Sequence, residues 1–475
     1  MRFCLPFTHL RGDFHFKHKK QAMKRFLLPL LFCAFLLQSA FAQNIRYVEY
    51  DLPNGLKVLL LREPSAPVFA YQTWFSVGSR HERVGKTGIA HLFEHLMFNE
   101  TENLSHGEFD RKIELAGGNT NAATWVDWTY YQDDMPSSEL ALAVQLESER
   151  MRHLLLRTQQ VETERGVVIS ERQMRVEDDV DGFMSEELFR RAFLEHPYRS
   201  PTLGSMQDIK GLTLEDCMNF YRTYYAPNNA TVVVVGDIDE DRTLELICEH
   251  YGDIPCQTIP VEIKITEPAQ TEERLGRFCK PVVTDKLLFG YKAPALSDPD
   301  HLRLELLSEV LQGGCSSPVY RDLVIEREIF SSLSGSVMPF QDPGLWEISA
   351  SLHRGHHALE GLSLFDEHVR RFCDTGPTQA ELDRARARML TSFYLSLKTA
   401  HGKAASLGES QTTLSDYREL WRTPHLLRKI TVEELQQTAQ KYLRAEQRTV
   451  IIAEPNGEMA EDMDEETAEE LGKEE

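Results

Sequence analysis

The chain has 475 residues, 41% of them hydrophobic, and carries 52 Lys and Arg against 74 Asp and Glu, a formal net charge of −22. That length exceeds what one core fills and predicts two domains of roughly 200 residues each plus appendages. A surface this acidic makes nucleic acid and anionic membrane poor partners.

Residues 1–42 read as a targeting segment. From Met23, MKRFLLPLLFCAFLLQSAFAQ has a basic start, an apolar run and Ala40, Phe41 and Ala42 as a cleavage site before Gln43. Export to a periplasm-like compartment is expected, with Met23 as the candidate start. Removing the segment leaves 45 basic and 73 acidic residues, a net charge of −28. No later apolar run is long enough to span a membrane. Six cysteines follow, with no CxxC and no regular framework, so neither a disulfide nor a cysteine nucleophile is assigned.

YVEYDLPNGLKVLLLRE predicts a hairpin around Asn54 and Gly55, with a two-residue turn at positive φ. A strand through VFAYQTWFSV comes next, and then TGIAHLFEHLMFNE, the most informative stretch of the chain. A helix places i, i+3 and i+4 on one face, so His91, Glu94 and His95 converge. Two neutral imidazoles there can hold zinc, and Glu94 can reach a metal-bound water without being a ligand. The order is HxxEH, the inverse of HExxH.

A zinc site with two histidines needs a third protein ligand. VETERGVVISERQMRVEDD reads as a helix, and Glu164 and Glu171 lie two turns apart on one face. One can complete the site while the other supports a ligand histidine, and spacing alone does not say which. Between the two helices, GGNTNAATWVDWTYYQDDMP reads as a Gly turn and an aromatic strand, in which Trp125, Trp128 and Tyr131 suit a core as well as a site.

After VVVVGDI comes a stretch containing Pro255, Pro260 and Pro268, which reads as an interdomain linker. An internal repeat supports two domains. LTLEDCMNFYRTYYAPNNATVVVVGD and ITVEELQQTAQKYLRAEQRTVIIAEP align without a gap, each a capped helix followed by a buried strand. The domains are therefore set at 43–257 and 258–455. Residues 456–475, acidic and low in hydrophobicity, read as a disordered tail. The second half has no HxxEH. Its SLHRGHHALE offers His353, His356 and His357, but Gly355 interrupts the helix and no carboxylate helix follows, so a surface cluster is expected.

VGSRHERVGKTGIAHLFEHLMFNET, GGNTNAATWVDWTYY and ETERGVVISERQM together resemble the pitrilysin/insulinase family of inverted zinc metallopeptidases, including its processing-peptidase branch. The resemblance implies an α+β fold of two homologous domains, each an antiparallel-rich sheet with helices packed on one face. It implies one zinc per chain on His91, His95 and Glu171, with Glu94 as general base and Glu164 as outer support. By the same resemblance Asn121, Ala122, Ala123 and Thr124 form an edge strand to which the peptide substrate adds. Two-half assemblies of this family carry an Arg and, seven residues later, a Tyr that hold the substrate. Here SSPVYRDLVIEREIFSSLSG has Val324 and Ser331, with Arg327 out of register. That departure reads either as a register slip of three residues or as a heterodimer with a homologous subunit lacking HxxEH, with a homodimer as the alternative to the heterodimer. A noncatalytic scaffold or peptide-binding member is the rival reading, and zinc stoichiometry separates it from the enzyme.

Overall fold

The computed structural model describes residues 47–200, 202–261 and 264–456; the targeting segment and the acidic tail lie outside the described residues. The described residues form one compact unit built around two sheets. The first sheet comprises β1 (Val48–Asp51), β2 (Lys57–Arg62), β3 (Val68–Phe75), β4 (Asn119–Thr124), β5 (Thr129–Pro136) and β6 (Ala230–Gly236), in the order β1-β2-β6-β3-β5-β4. The second comprises β7 (Arg274–Lys280), β8 (Lys286–Lys292), β9 (Phe330–Val337), β10 (Leu345–Leu352) and β11 (Arg448–Pro455), in the order β7-β11-β8-β10-β9. Helices of eight residues or more in the first half are α1 (Ile89–Leu96), α2 (Glu108–Leu115), α3 (Leu140–His153), α4 (Thr158–Arg172), α5 (Val180–Ala192), α6 (Leu214–Tyr224) and α7 (Glu240–Tyr251). In the second half they are α8 (Pro299–Gln312), α9 (Ala358–Thr375), α10 (Gln379–Ser396), α11 (Ala400–Leu414), α12 (Glu419–Lys429) and α13 (Val432–Tyr442).

The two copies of the repeat take equivalent places. Thr213 and Thr431 each cap a helix with a hydroxyl, α6 and α13, and the strands that follow are β6 and β11. Each of these strands has a parallel neighbour on one side and an antiparallel neighbour on the other: β2 and β3 for β6, β7 and β8 for β11. Strands buried on both faces read as unbroken apolar runs, as VVVV in β6 and VIIA in β11 do.

One face of the first sheet, with Val58, Leu60, Phe69, Tyr71, Phe75, Val232 and Val234, packs on first-half helices including α1 and α3. The corresponding face of the second sheet, with Phe289, Trp346, Ile348, Val450 and Ile452, packs on α8, α9 and α13. Each sheet also has a helix on its other face, contributed by the opposite half. Ala404 and Leu407 of α11 close over Leu59, Leu61, Trp74 and Val233 of the first sheet. Met184, Leu188 and Phe189 of α5 close over Leu288, Leu345 and Ile451 of the second. The fit under α11 is tight: a Cβ on Gly408 would lie 2.1 Å from Trp74 Nε1.

Two local expectations shift. The β1–β2 turn centres on Pro53 and Asn54, with Gly55 N–H donating to Leu52 O at 2.9 Å; only Gly55 has positive φ, +87°. Proline presets the first central position of the turn, and the Asn54 amide donates to the carbonyls of Tyr251 and Ile254. The helix over VETERGVVISERQMRVEDD changes register at Gln173, where a π turn spans Gln173–Glu177 and Asp178 N–H reaches Gln173 O at 2.8 Å.

Candidate metal centre

Helix α1 starts at Gly88, whose φ of +87° favours glycine, and its free N–H groups are capped from upstream. The Glu82 carboxylate accepts from Gly88 N–H and from Ala90 N–H, both at 2.9 Å. The apolar positions Ile89, Leu92, Phe93 and Leu96 face the core, and the other side of the helix meets α4 and β4. His91, Glu94 and His95 therefore project into the angle between a helix and a sheet edge.

There the distal glutamate meets both rings. Glu171 Oε2 lies 3.6 Å from His91 Nε2 and 3.4 Å from His95 Nε2. Potential ligand atoms of these three residues all fall within 4.8 Å of one another, which makes them the one such group among the described residues. Tetrahedral donors at 2.0–2.1 Å from zinc stand about 3.3 Å apart, so the spacing fits, as does the mixed nitrogen and carboxylate donor set. Burial, with neighbouring His95 and Arg175, holds His91 down to about 3, so this imidazole is neutral, the form that binds a metal.

Glu164 occupies the outer position. Its Oε2 lies 3.7 Å from His95 Nδ1 and its Oε1 accepts from Asn99 Nδ2 at 3.1 Å, so the carboxylate addresses the ring nitrogen turned away from Glu171. A carboxylate behind a ligand histidine sets the tautomer and raises the ring's basicity. Burial alone would lower His95, yet Glu164, Glu94 and Glu171 around it hold it above its ordinary value.

Glu94 does not join the three. It lines a cleft of ≈310 Å³ together with His95, Phe98, Asn99, His106, Asp110, Asn121, Ala122 and Glu164. Burial pushes its carboxyl above the usual range, against the pull of a hydrogen bond from Thr124. Asn121, Ala122, Ala123 and Thr124 all lie on β4, which pairs with β5 on one side and forms the edge of the sheet on the other. Trp128 and Tyr130 pack around Trp74 under α11, Trp125 packs against Phe340, and Tyr131 is fully buried, so the aromatic residues serve cores.

The end of β4 is anchored by residues whose role the sequence left unassigned. Gly78 lets the preceding loop approach the β4–β5 turn, where a Cβ would lie 2.2 Å from Trp125 O, and Ser79 N–H and Arg80 N–H donate to Trp125 O and Val126 O. Arg80 then pairs with Asp127 at 2.9 Å and Asp342 at 2.7 Å. Tyr198 donates to Asp127 at 2.8 Å, and Gln341 N–H donates to its other oxygen at 2.9 Å. The loop between β9 and β10 thus holds the strand end from the second half.

The remaining sequence candidates do not converge. Val324 packs at the margin of the second core, and Ser331 Oγ donates to Ser351 O. Arg327 lies 3.8 Å from Asp322, which is also bonded to His368. His356 pairs with Glu360, and His357 lies near Asp285.

Residues 57–205 match the model of the insulinase family, peptidase family M16, and residues 211–389 match the model of the M16 inactive domain. The zinc protease PqqE of Helicobacter pylori is 31% identical over 86% of this chain and 93% of its own length. The crystal structure of a protease from Helicobacter pylori superposes with a TM-score of 0.83 at 30% identity, covering 86% of this chain and 99% of the other. The mitochondrial-processing peptidase subunit beta of Lentinula edodes is 24% identical over 82% of this chain and 86% of its own length.

Proposed function

Because the chain belongs to the insulinase family of peptidases, M16, we propose that it is an exported zinc-dependent endopeptidase that hydrolyses peptides or unfolded chains. The observation that carries this reading is the meeting of Glu171 with both ring nitrogens of HLFEH, beside a cleft that Glu94 shares with an edge strand. His91, His95 and Glu171 would hold the zinc ion, one per chain, and when bound it supplies Lewis acidity to water and the substrate carbonyl.

The chain's own residues do the rest. The free edge of β4 takes the substrate as an added strand through main-chain hydrogen bonds, with Asn121 and Ala122 facing the cleft. Glu94 takes a proton from the attacking water as the new C–O bond forms. It then gives that proton to the departing amine as the C–N bond breaks. Thr124 orients Glu94 from the same edge strand, and Asn99 holds Glu164 behind His95.

In the register that the resemblance implies, Val324 and Ser331 stand where the family pattern has an Arg and a Tyr as its clamp. A homologous subunit lacking HxxEH supplies that clamp in this reading, which makes the chain the catalytic member of a heterodimer. Export rests on the segment up to Ala42, and no helix among the described residues is long and apolar enough to cross a membrane.

The test is zinc content together with cleavage of a quenched peptide library, by the purified chain alone and mixed with a homologue lacking HxxEH. Cleavage in the mixture alone supports the heterodimer, and cleavage by the chain alone supports a homodimer. A chain that holds no zinc and cuts in neither setting overturns the enzyme in favour of a scaffold.

A further inference from the structure

Glu171 has two carboxylate oxygens, and they do different things. Oε2 faces His91 and His95, while Oε1 receives Arg175 Nη2 at 3.0 Å. Arg175 sits inside the π turn that begins two residues after Glu171, so this change of register sets the direction of its side chain relative to the carboxylate. We propose that Arg175 is a positioning residue for the metal centre: it pins the outer oxygen of Glu171 so that the inner one is already aimed at the point where both imidazoles meet. The inference rests on the zinc reading given above.

The root of Arg175 is rigid although its head is 63% exposed. Gly182, in the first turn of α5, lies so close that a Cβ there would fall 1.8 Å from Arg175 O. Asp179 caps α5 by accepting from Gly182 N–H at 2.7 Å, and Val176, next to Arg175, is buried. At the start of the turn, buried Arg172 holds Glu186 at 2.7 Å and also bonds Gly204 O.

Two effects of the guanidinium on zinc oppose each other. Its charge repels a divalent cation, but at this exposure water and salt screen much of that repulsion. Against this, a free glutamate has three side-chain torsions to immobilise on binding, among the larger side-chain entropy losses, and a fixed partner removes most of that cost. Positioning therefore outweighs repulsion, and outer partners of metal ligands of this kind change affinity by about 10–100-fold.

The experiment is competition for zinc between a chromogenic chelator and the metal-free purified protein, compared with Arg175→Ala and Arg175→Lys. The expected result is a Kd about 10–100-fold weaker for Arg175→Ala, partial recovery in Arg175→Lys, and an unchanged melting curve for the metal-free protein. A purely structural role would move the melt and leave the Kd in place. A Kd for Arg175→Ala within twofold of the parent overturns the inference. A parent protein that binds no zinc overturns the metal reading and this inference with it, and that outcome is visible before any variant is made.

Discussion

Glu347 gives a prediction whose size follows from its surroundings. It lies on β10 on the face opposite Trp346 and Ile348, paired in the sheet with Gly290 of β8 and Ser336 of β9. Its Oε1 is sealed from solvent with no partner, and burial raises the carboxyl from 4.5 to about 7. The folded value lies above the unfolded one, so the associated stability is complete below pH 4.5, falls as pH climbs from 4.5 to 7, and stays lost above that. At 1.36 kcal/mol per pH unit the loss is at most about 3 kcal/mol. Since the residue is only partly buried, roughly 1–3 kcal/mol is expected. Glu347→Gln removes the charge and keeps the shape. With an unfolding entropy near 2.1 cal/mol/K per residue over about 410 residues, the gain in Tm is roughly 1–3 °C at pH 8 and none at pH 4.5. Scanning calorimetry at the two pH values measures it. A gain of equal size at both, or a loss at pH 8, would refute the reasoning by showing that the folded chain solvates this carboxylate well.

Three further outcomes are expected. Glu94→Gln should retain zinc by metal analysis while kcat falls at least ~100-fold, and turnover close to the parent would remove Glu94 from the role of base. Arg80→Ala removes the guanidinium that Asp127 and Asp342 share in a nearly closed site, so chemical denaturation should show a loss of about 3–5 kcal/mol; a loss below about 1 kcal/mol would mean that their remaining partners and water compensate. Gly182→Ala drives a methyl group against Arg175 O, so the π turn must shift; zinc affinity should weaken while circular dichroism stays unchanged, and an unaltered chelator midpoint would separate the turn from the metal centre.

The parts of the site that one helix determines were legible in the sequence, and the parts that depend on packing were not. HLFEH fixes its own geometry because i, i+3 and i+4 share a face, and Glu164 and Glu171 announce their common face by their seven-residue spacing. Which glutamate lies inside could not be read from spacing. The answer depends on how α4 lies against α1, and it brings Glu171 to the two Nε2 atoms and Glu164 to His95 Nδ1. The π turn left no mark in QMRVE, since it goes with the close approach of Gly182, nine residues after Gln173. Strand β4 was placed through family resemblance, because NTNAAT has no Val, Ile or aromatic residue and no apolar alternation to mark a strand. VDGFMSEELFRRA shows an apolar stripe, but a stripe says only that something covers it, not that its partner is a sheet from the other half.

The exchange of α5 and α11 bears on how such a chain can evolve. A second half with no metal-ligating group among its described residues looks dispensable. Yet deleting it would lay bare Leu59, Leu61, Ala70, Trp74, Val233 and Val235, a continuous oily strip on a sheet with an open edge, which is a recipe for insolubility. Each half covers an apolar face of the other. Selection must therefore keep the shape of both halves, whatever chemistry either one carries.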